Sequence, residues 1–210
     1  MKSKQRREQI LRAATTVFAA KGYYRASITD IIKESGIARG TFYLYFESKR
    51  EVFAELVDIL MVRLNSSMTR IELSPDSQPW QDQLLTNTIR IATILLEDKE
   101  LTMILYNHAL GLDEEFDKKI QEFYQAITKR TEGAIKLGQQ MGLVRKDIQA
   151  WLAAHHIVGS VKEVMFRVSQ QDDHDISVKK LAEELMSYSI EGLLAQPEPS
   201  GKKKKSQKTK

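Results

Sequence analysis

Residues 36–49 read GIARGTFYLYFESK and place four aromatics, Phe42, Tyr43, Tyr45 and Phe46, within five positions, directly behind Arg39 and Gly40. The groups offered are a guanidinium, a backbone freed of a side chain, hydroxyls and aromatic faces. Thr41 and the tyrosine hydroxyls are able to bond phosphate oxygens, and Gly40 lets the backbone approach one. The chemistry is that of nucleic-acid recognition. Catalytic constellations are missing: the four histidines, His108, His155, His156 and His174, form no HExxH pair, and no GxxxxGK loop or GxSxG elbow occurs. Ser177 and Lys180 fit a serine-x-x-lysine pattern without its companion motifs. With no cysteine, disulfides, thiolate metal sites and cysteine nucleophiles are excluded. The reading is of a non-enzyme with no catalytic residues, metal or cofactor.

Two nucleic-acid modules compete for this stretch. An RNA-recognition strand shares Arg39-Gly40 and Phe46, but Thr41 stands where a stacking aromatic is needed and Phe42 replaces a small residue. A helix-turn-helix fits better: SITDIIKE, the turn SGIA and RGTFYLYF make two short helices around a glycine-containing turn. Phe42 and Phe46, four apart, then share a buried face with Ile31 and Ile32. Arg39, Gly40, Thr41, Tyr43, Leu44 and Tyr45 lie on the exposed side or at the helix start. A helical hairpin that binds no DNA, with Tyr43 and Tyr45 half-buried, is the competing structural reading.

The elements that position these residues are helical. Ile10, Ala13, Ala14, Val17 and Phe18 recur at three-and-four spacing over 4–21 and stop at Lys21-Gly22. Ser27-x-x-Asp30 resembles a capping box, and Gly36 ends the second helix. A third long pattern begins after Glu47-Ser48, with Val52, Phe53, Leu56, Val57, Leu60 and Leu64 on one side. The loop at 72–80, with Pro75 and Pro79, separates this from helical patterns at 81–97, 99–110, 114–140, 147–170 and 176–195. Strand-like alternation is almost absent. Charge is segregated: residues 1–50 hold 11 Lys/Arg against 4 acids, residues 51–200 hold 15 against 24, and 201–210 adds six lysines and no acid. A basic first quarter on an acidic body suits a polyanion site confined to one end.

Residues 8–60 resemble the N-terminal domain of the TetR/AcrR family of bacterial transcriptional regulators. The likeness rests on Phe18, Lys21-Gly22-Tyr23, Ile31, Gly36-Ile37, Gly40-Thr41-Phe42-Tyr43, Tyr45-Phe46 and Ser48-Lys49. It implies an all-α protein: a three-helix helix-turn-helix DNA-binding domain over 1–48 and a larger helical effector-binding and dimerisation domain over 49–196; the polar, lysine-rich composition of 197–210 reads as a disordered basic tail. It further implies a homodimer on a palindromic double-stranded DNA operator; a charged start without an uninterrupted apolar run, and no 18 apolar residues together, read as cytoplasmic and without membrane contact. Repression, relieved by a small molecule, is the default. Carried onto this sequence, the DNA contacts are Ser27, Thr29, Arg39, Gly40, Thr41, Tyr43, Leu44 and Tyr45, with Lys49 meeting a backbone phosphate. Ala38 and Leu44 depart from the family pattern, at the capping position and at a place often held by histidine or tyrosine.

In the body, Met103, Tyr106, Asn107, Phe123, Tyr124, Ile127, His155 and Phe166 are the expected lining of a pocket for a hydrophobic or aromatic effector. Taken alone, each is more often a plain core residue by type. The segments 147–170 and 176–195 combine small residues (Ala150, Ala153, Ala154, Gly159, Ser160) with Trp151, Leu152, Leu181, Leu185 and Tyr188, which suits either self-association or an internal core. Effector binding is expected to move the helix that begins at Lys49, and with it the spacing of two recognition helices.

Overall fold

In the computed structural model, residues 2–74, 76–108, 114–171 and 176–194 are described. Among them there are nine helices and no strand. Helix α1 (Lys2–Arg25) buries Ile10, Ala14 and Phe18 completely. It is broken at Gly22, where φ of 73° and ψ of 159° take the chain out of helical geometry and into a conformation that favours glycine. Helix α2 (Ile28–Ser35) opens on a complete capping box, in which Ser27 Oγ accepts from the Asp30 N–H and the Asp30 carboxylate accepts from the Ser27 N–H. Gly36, at φ 65°, closes it in the left-handed region.

Helix α3 (Arg39–Tyr43) is shorter than the expected 39–46. The Phe46 N–H still bonds the Phe42 carbonyl at 3.1 Å. Past Tyr43, however, the chain turns so that Phe46 joins the core and Ser48 caps the next helix, α4 (Lys49–Ser67). All six apolar residues predicted on one side of α4 are buried.

The body comprises α5 (Trp80–Glu97), α6 (Lys99–His108), α7 (Glu114–Gln140), α8 (Ala150–Ser169) and α9 (Val178–Leu193). Residues 147–149, expected to be helical, instead form the turn before α8, where Asp147 pairs with Arg145. The 72–80 loop is tied down by Gln83, whose amide donates to the Glu72 carbonyl at 2.8 Å. The basic tail and His174 lie outside the described residues.

One apolar cluster runs from Ile10 and Phe18 through Phe53, Leu56 and Leu60 to Leu95, Ile120, Met165 and Leu181. The expected boundary at 48/49 coincides with the cap of α4, and the core crosses it without a break. Helix α6 packs on both α1 and α4, so the body touches the first helix as well as the fourth. A second small cluster joins Ile135, Ala150 and Ala154 with Val144 against it. Here Gly138 is required, because a Cβ on it would lie 2.7 Å from Val144 Cγ2.

Candidate functional site

The α2–turn–α3 unit rests on α1 through polar clamps. Gln9 donates to the Ser35 carbonyl at 2.7 Å and fixes the end of α2. Arg7 pairs with Glu55, donates to the Tyr45 carbonyl at 2.9 Å and lies 4.3 Å from the centroid of the Phe46 ring. The segment leaving the recognition helix is thereby tied to α1 and α4 together. Nothing in their spacing sets Arg7 or Gln9 apart from the other polar residues of the first helix, so sequence reasoning missed both.

Phe42 and Phe46 are buried with Ile31, as the four-residue spacing predicts, and Ile32 is half-buried beside them. Helix α3 then presents its other side. Arg39 and Gly40 are exposed, Tyr43 is 44% exposed and Leu44 80%. The Arg39 guanidinium lies 5.9 Å from the Tyr43 ring centroid, and a Cβ placed on Gly40 would meet open space. Thr41 and Tyr45 are half-buried. Ala38 caps the helix without a side-chain hydrogen bond, as expected of alanine.

Ser27 and Thr29 are exposed at the start of α2. The Ser27 hydroxyl is engaged in the capping box and also donates to Asp30 at 2.8 Å. Lys21 bonds the other oxygen of Asp30 at 2.7 Å, and this bond, followed by those from Ser27, pulls the Asp30 carboxyl down to about 2. Lys49 is placed differently from a phosphate-facing lysine. Its ammonium donates to the carbonyls of Tyr23 at 2.7 Å and Ala26 at 2.9 Å, and sits 4.3 Å from the Tyr23 ring centroid. Burial holds its pKa below the ordinary lysine value. A phosphate contact would compete with these bonds.

The expected effector residues fall into two groups. Tyr106 of α6, Tyr124 of α7 and Phe166 of α8 converge: the Tyr106 and Phe166 rings are 5.1 Å apart, and the Tyr124 phenol lies beside that of Tyr106. Burial pushes both phenols up, Tyr124 to about 12 and Tyr106 further. Phe123 stacks edge-on against Tyr124, and Met103 and Ile127 are half-buried on the same two helices. Lys162, which the sequence reading did not single out, stands over this group, 4.6 Å from the Tyr124 ring centroid and 5.7 Å from that of Tyr106. His155 stands apart, exposed near the start of α8 with Nδ1 2.8 Å from the Trp151 carbonyl. Asn107 belongs to α6, its side chain outside the described part of the structure. The described depressions, of about 240 Å³ between α1 and α2 and about 200 Å³ beside the 72–80 loop, are not lined by the tyrosine cluster.

No helix among the described residues is long and apolar enough to cross a membrane, and no group of ligating side chains among them could hold a metal ion.

The fold and this head define a helix-turn-helix DNA-binding regulator. Residues 10–56 match the family described as bacterial regulatory proteins, tetR family. It is 25% identical over 158 residues to the fatty acid metabolism regulator protein of Bacillus subtilis, covering 75% of this chain and 80% of that protein. A TetR-like transcriptional regulator from Rhodococcus sp. RHA1 superposes with a TM-score of 0.73 at 24% identity, covering 89% of this chain and 94% of that one. The transcriptional regulator FadR from Bacillus subtilis, solved in complex with stearoyl-CoA, superposes with a TM-score of 0.67 at 22% identity over 88% of this chain and 98% of that one.

Proposed function

We propose that the protein is a homodimeric, ligand-responsive repressor that reads a palindromic operator through α3. The observation that carries this is the division of the aromatic stretch: Phe42 and Phe46 anchor the helix, while Tyr43 and Leu44 project from it beside Arg39 and an open Gly40. In this reading Arg39, Thr41 and the Tyr43 and Tyr45 hydroxyls meet phosphates or base edges, Ser27 and Thr29 approach the backbone from the start of α2, and Leu44 meets a thymine methyl. Lys49 braces the head from behind.

Dimerisation is supported by an outward stripe on α8 and α9. Leu152 is 56% exposed and Tyr188 75%; His156 stacks on Tyr188, and Gly159 and Gly192 face open space that a second copy could approach closely. Buried Ala154 and Leu181 serve the core of one subunit instead. The effector is a small, largely apolar molecule bound between α6, α7 and α8, a reading supported by the acyl-CoA seen in the Bacillus relative. The contact of α6 with α1, together with α4, would carry its effect to the head and change the spacing of the two recognition helices.

Selection from random duplexes tests the reading. Enrichment of a palindrome that Tyr43→Ala no longer enriches supports it. Binding that depends on salt but not on sequence, in both proteins, would overturn it.

A further inference from the structure

Lys162 is a half-buried cation whose ammonium lies over two aromatic rings, and among the described residues no carboxylate pairs with it. The nearby acid on its own helix, Glu163, is exposed and pairs with Arg167. The two tyrosine hydroxyls beside it hold two protons between them. Each phenol can donate its own proton to a ligand oxygen. An ammonium and two phenolic hydroxyls therefore converge, with Phe166 and Phe123 supplying apolar surface beside them. The acid that bears on Tyr106 from nearby, Glu163, is engaged by Arg167.

We infer that Lys162, with the hydroxyls of Tyr106 and Tyr124, anchors an oxyanion carried on an apolar body, so that the effector is an amphipathic anion such as a carboxylate or phosphate with an aliphatic or aromatic tail. The inference rests on the effector reading above and narrows it. An oxyanion replaces the weak attraction of the rings for the ammonium with a charge-assisted hydrogen bond, and it accepts from a tyrosine hydroxyl at the same time. The apolar tail packs among the aromatic side chains between α6 and α8. Because α6 also packs on α1, seating the anion at Tyr106 acts on the head directly.

The experiment compares decanoate, decyl phosphate and 1-decanol, which share a tail and differ in charge, on the full-length protein. Binding is read by calorimetry, and operator release by fluorescence anisotropy with the selected duplex. The anions are expected to bind about tenfold or more tightly than the alcohol. Lys162→Met should abolish that preference, Lys162→Arg should keep most of it, and Tyr124→Phe should reduce it several-fold. The ratio of decanoate to decyl phosphate identifies which oxyanion the site prefers. Equal binding of alcohol and anions in the unmodified protein, a comparison that needs no variant, would overturn the anion assignment while leaving the effector reading intact. Undiminished anion preference in Lys162→Met would do the same. If none of the three binds, the assignment falls; a separate thermal-shift screen of neutral and cationic amphiphiles then shows whether the effector reading falls with it.

Discussion

A lysine ammonium that donates to two main-chain carbonyls and covers a tyrosine ring has taken over the capping of a helix end. Lys49 does this for the segment after Gly22, bonding one carbonyl in the last turn of α1 and one just beyond it. Lys49→Met is therefore expected to lower stability by about 1–3 kcal/mol in urea unfolding. The salt dependence of operator binding separates bracing from phosphate contact. An unchanged slope is expected; a slope reduced by about one would show that the lysine meets a phosphate after all. Asp30 gives a second prediction. Its folded pKa of about 2 lies below the ordinary 3.8, so its contribution to stability is present above about pH 4 and is lost as pH falls towards 2. Acid titration of Asp30→Asn should show a lower stability near neutrality and a shallower decline across that window than the unmodified protein. At this scale the sequence was legible where a residue type has one strong local use. Ser27-x-x-Asp30 and Gly36 are of that kind. Arg7, Gln9 and Lys162 were not, because their partners lie on other helices and no spacing along the chain encodes them.

At the scale of elements, the head and body are joined by rings. Phe53 of α4 lies 5.5 Å from Phe18 and 4.7 Å from Tyr23 in α1, and 5.4 Å from Phe116 in α7. The ion pairs of Arg50 with Glu115 and of Asp58 with Lys119 run alongside. Phe53→Ala, at a fully buried position, is expected to cost about 3–5 kcal/mol. Combined with Phe116→Ala, the loss should fall short of the sum of the two single losses, because the rings share a contact. Additive losses would indicate that the helices are coupled by other means. The helical patterns themselves were read correctly for α1, α2, α4 and the five body helices to within a few residues, since each buries a stripe of regular period. The end of α3 was not, because the chain leaves the helix for tertiary reasons: the Tyr45 carbonyl is claimed by Arg7, and Phe46 is drawn into the core.

For the whole molecule, the proposed dimer would use the outward stripe of α8 and α9 to set how many heads act together. Tyr188→Glu places a charge where an aromatic ring now stands 75% exposed, and it should convert the dimer to monomer in sedimentation without unfolding it. Operator affinity should fall steeply with it, since a monomer engages one half-site. A variant that remains dimeric would move the interface elsewhere on the surface. Periodicity could not separate these outward residues from Ala154 and Leu181, which lie on the same two helices and face inward. Exposure in the folded chain made the distinction.

The chain's two tryptophans, Trp80 in the first turn of α5 and Trp151 in the first turn of α8, both belong to the body. The head carries tyrosine and phenylalanine only. Under long-wavelength excitation that passes over tyrosine, the helix-turn-helix end is thus dark and the body alone emits. Any change in indole emission when operator is added must have travelled from one end of the molecule to the other, so an unlabelled protein in a cuvette reports its own internal communication.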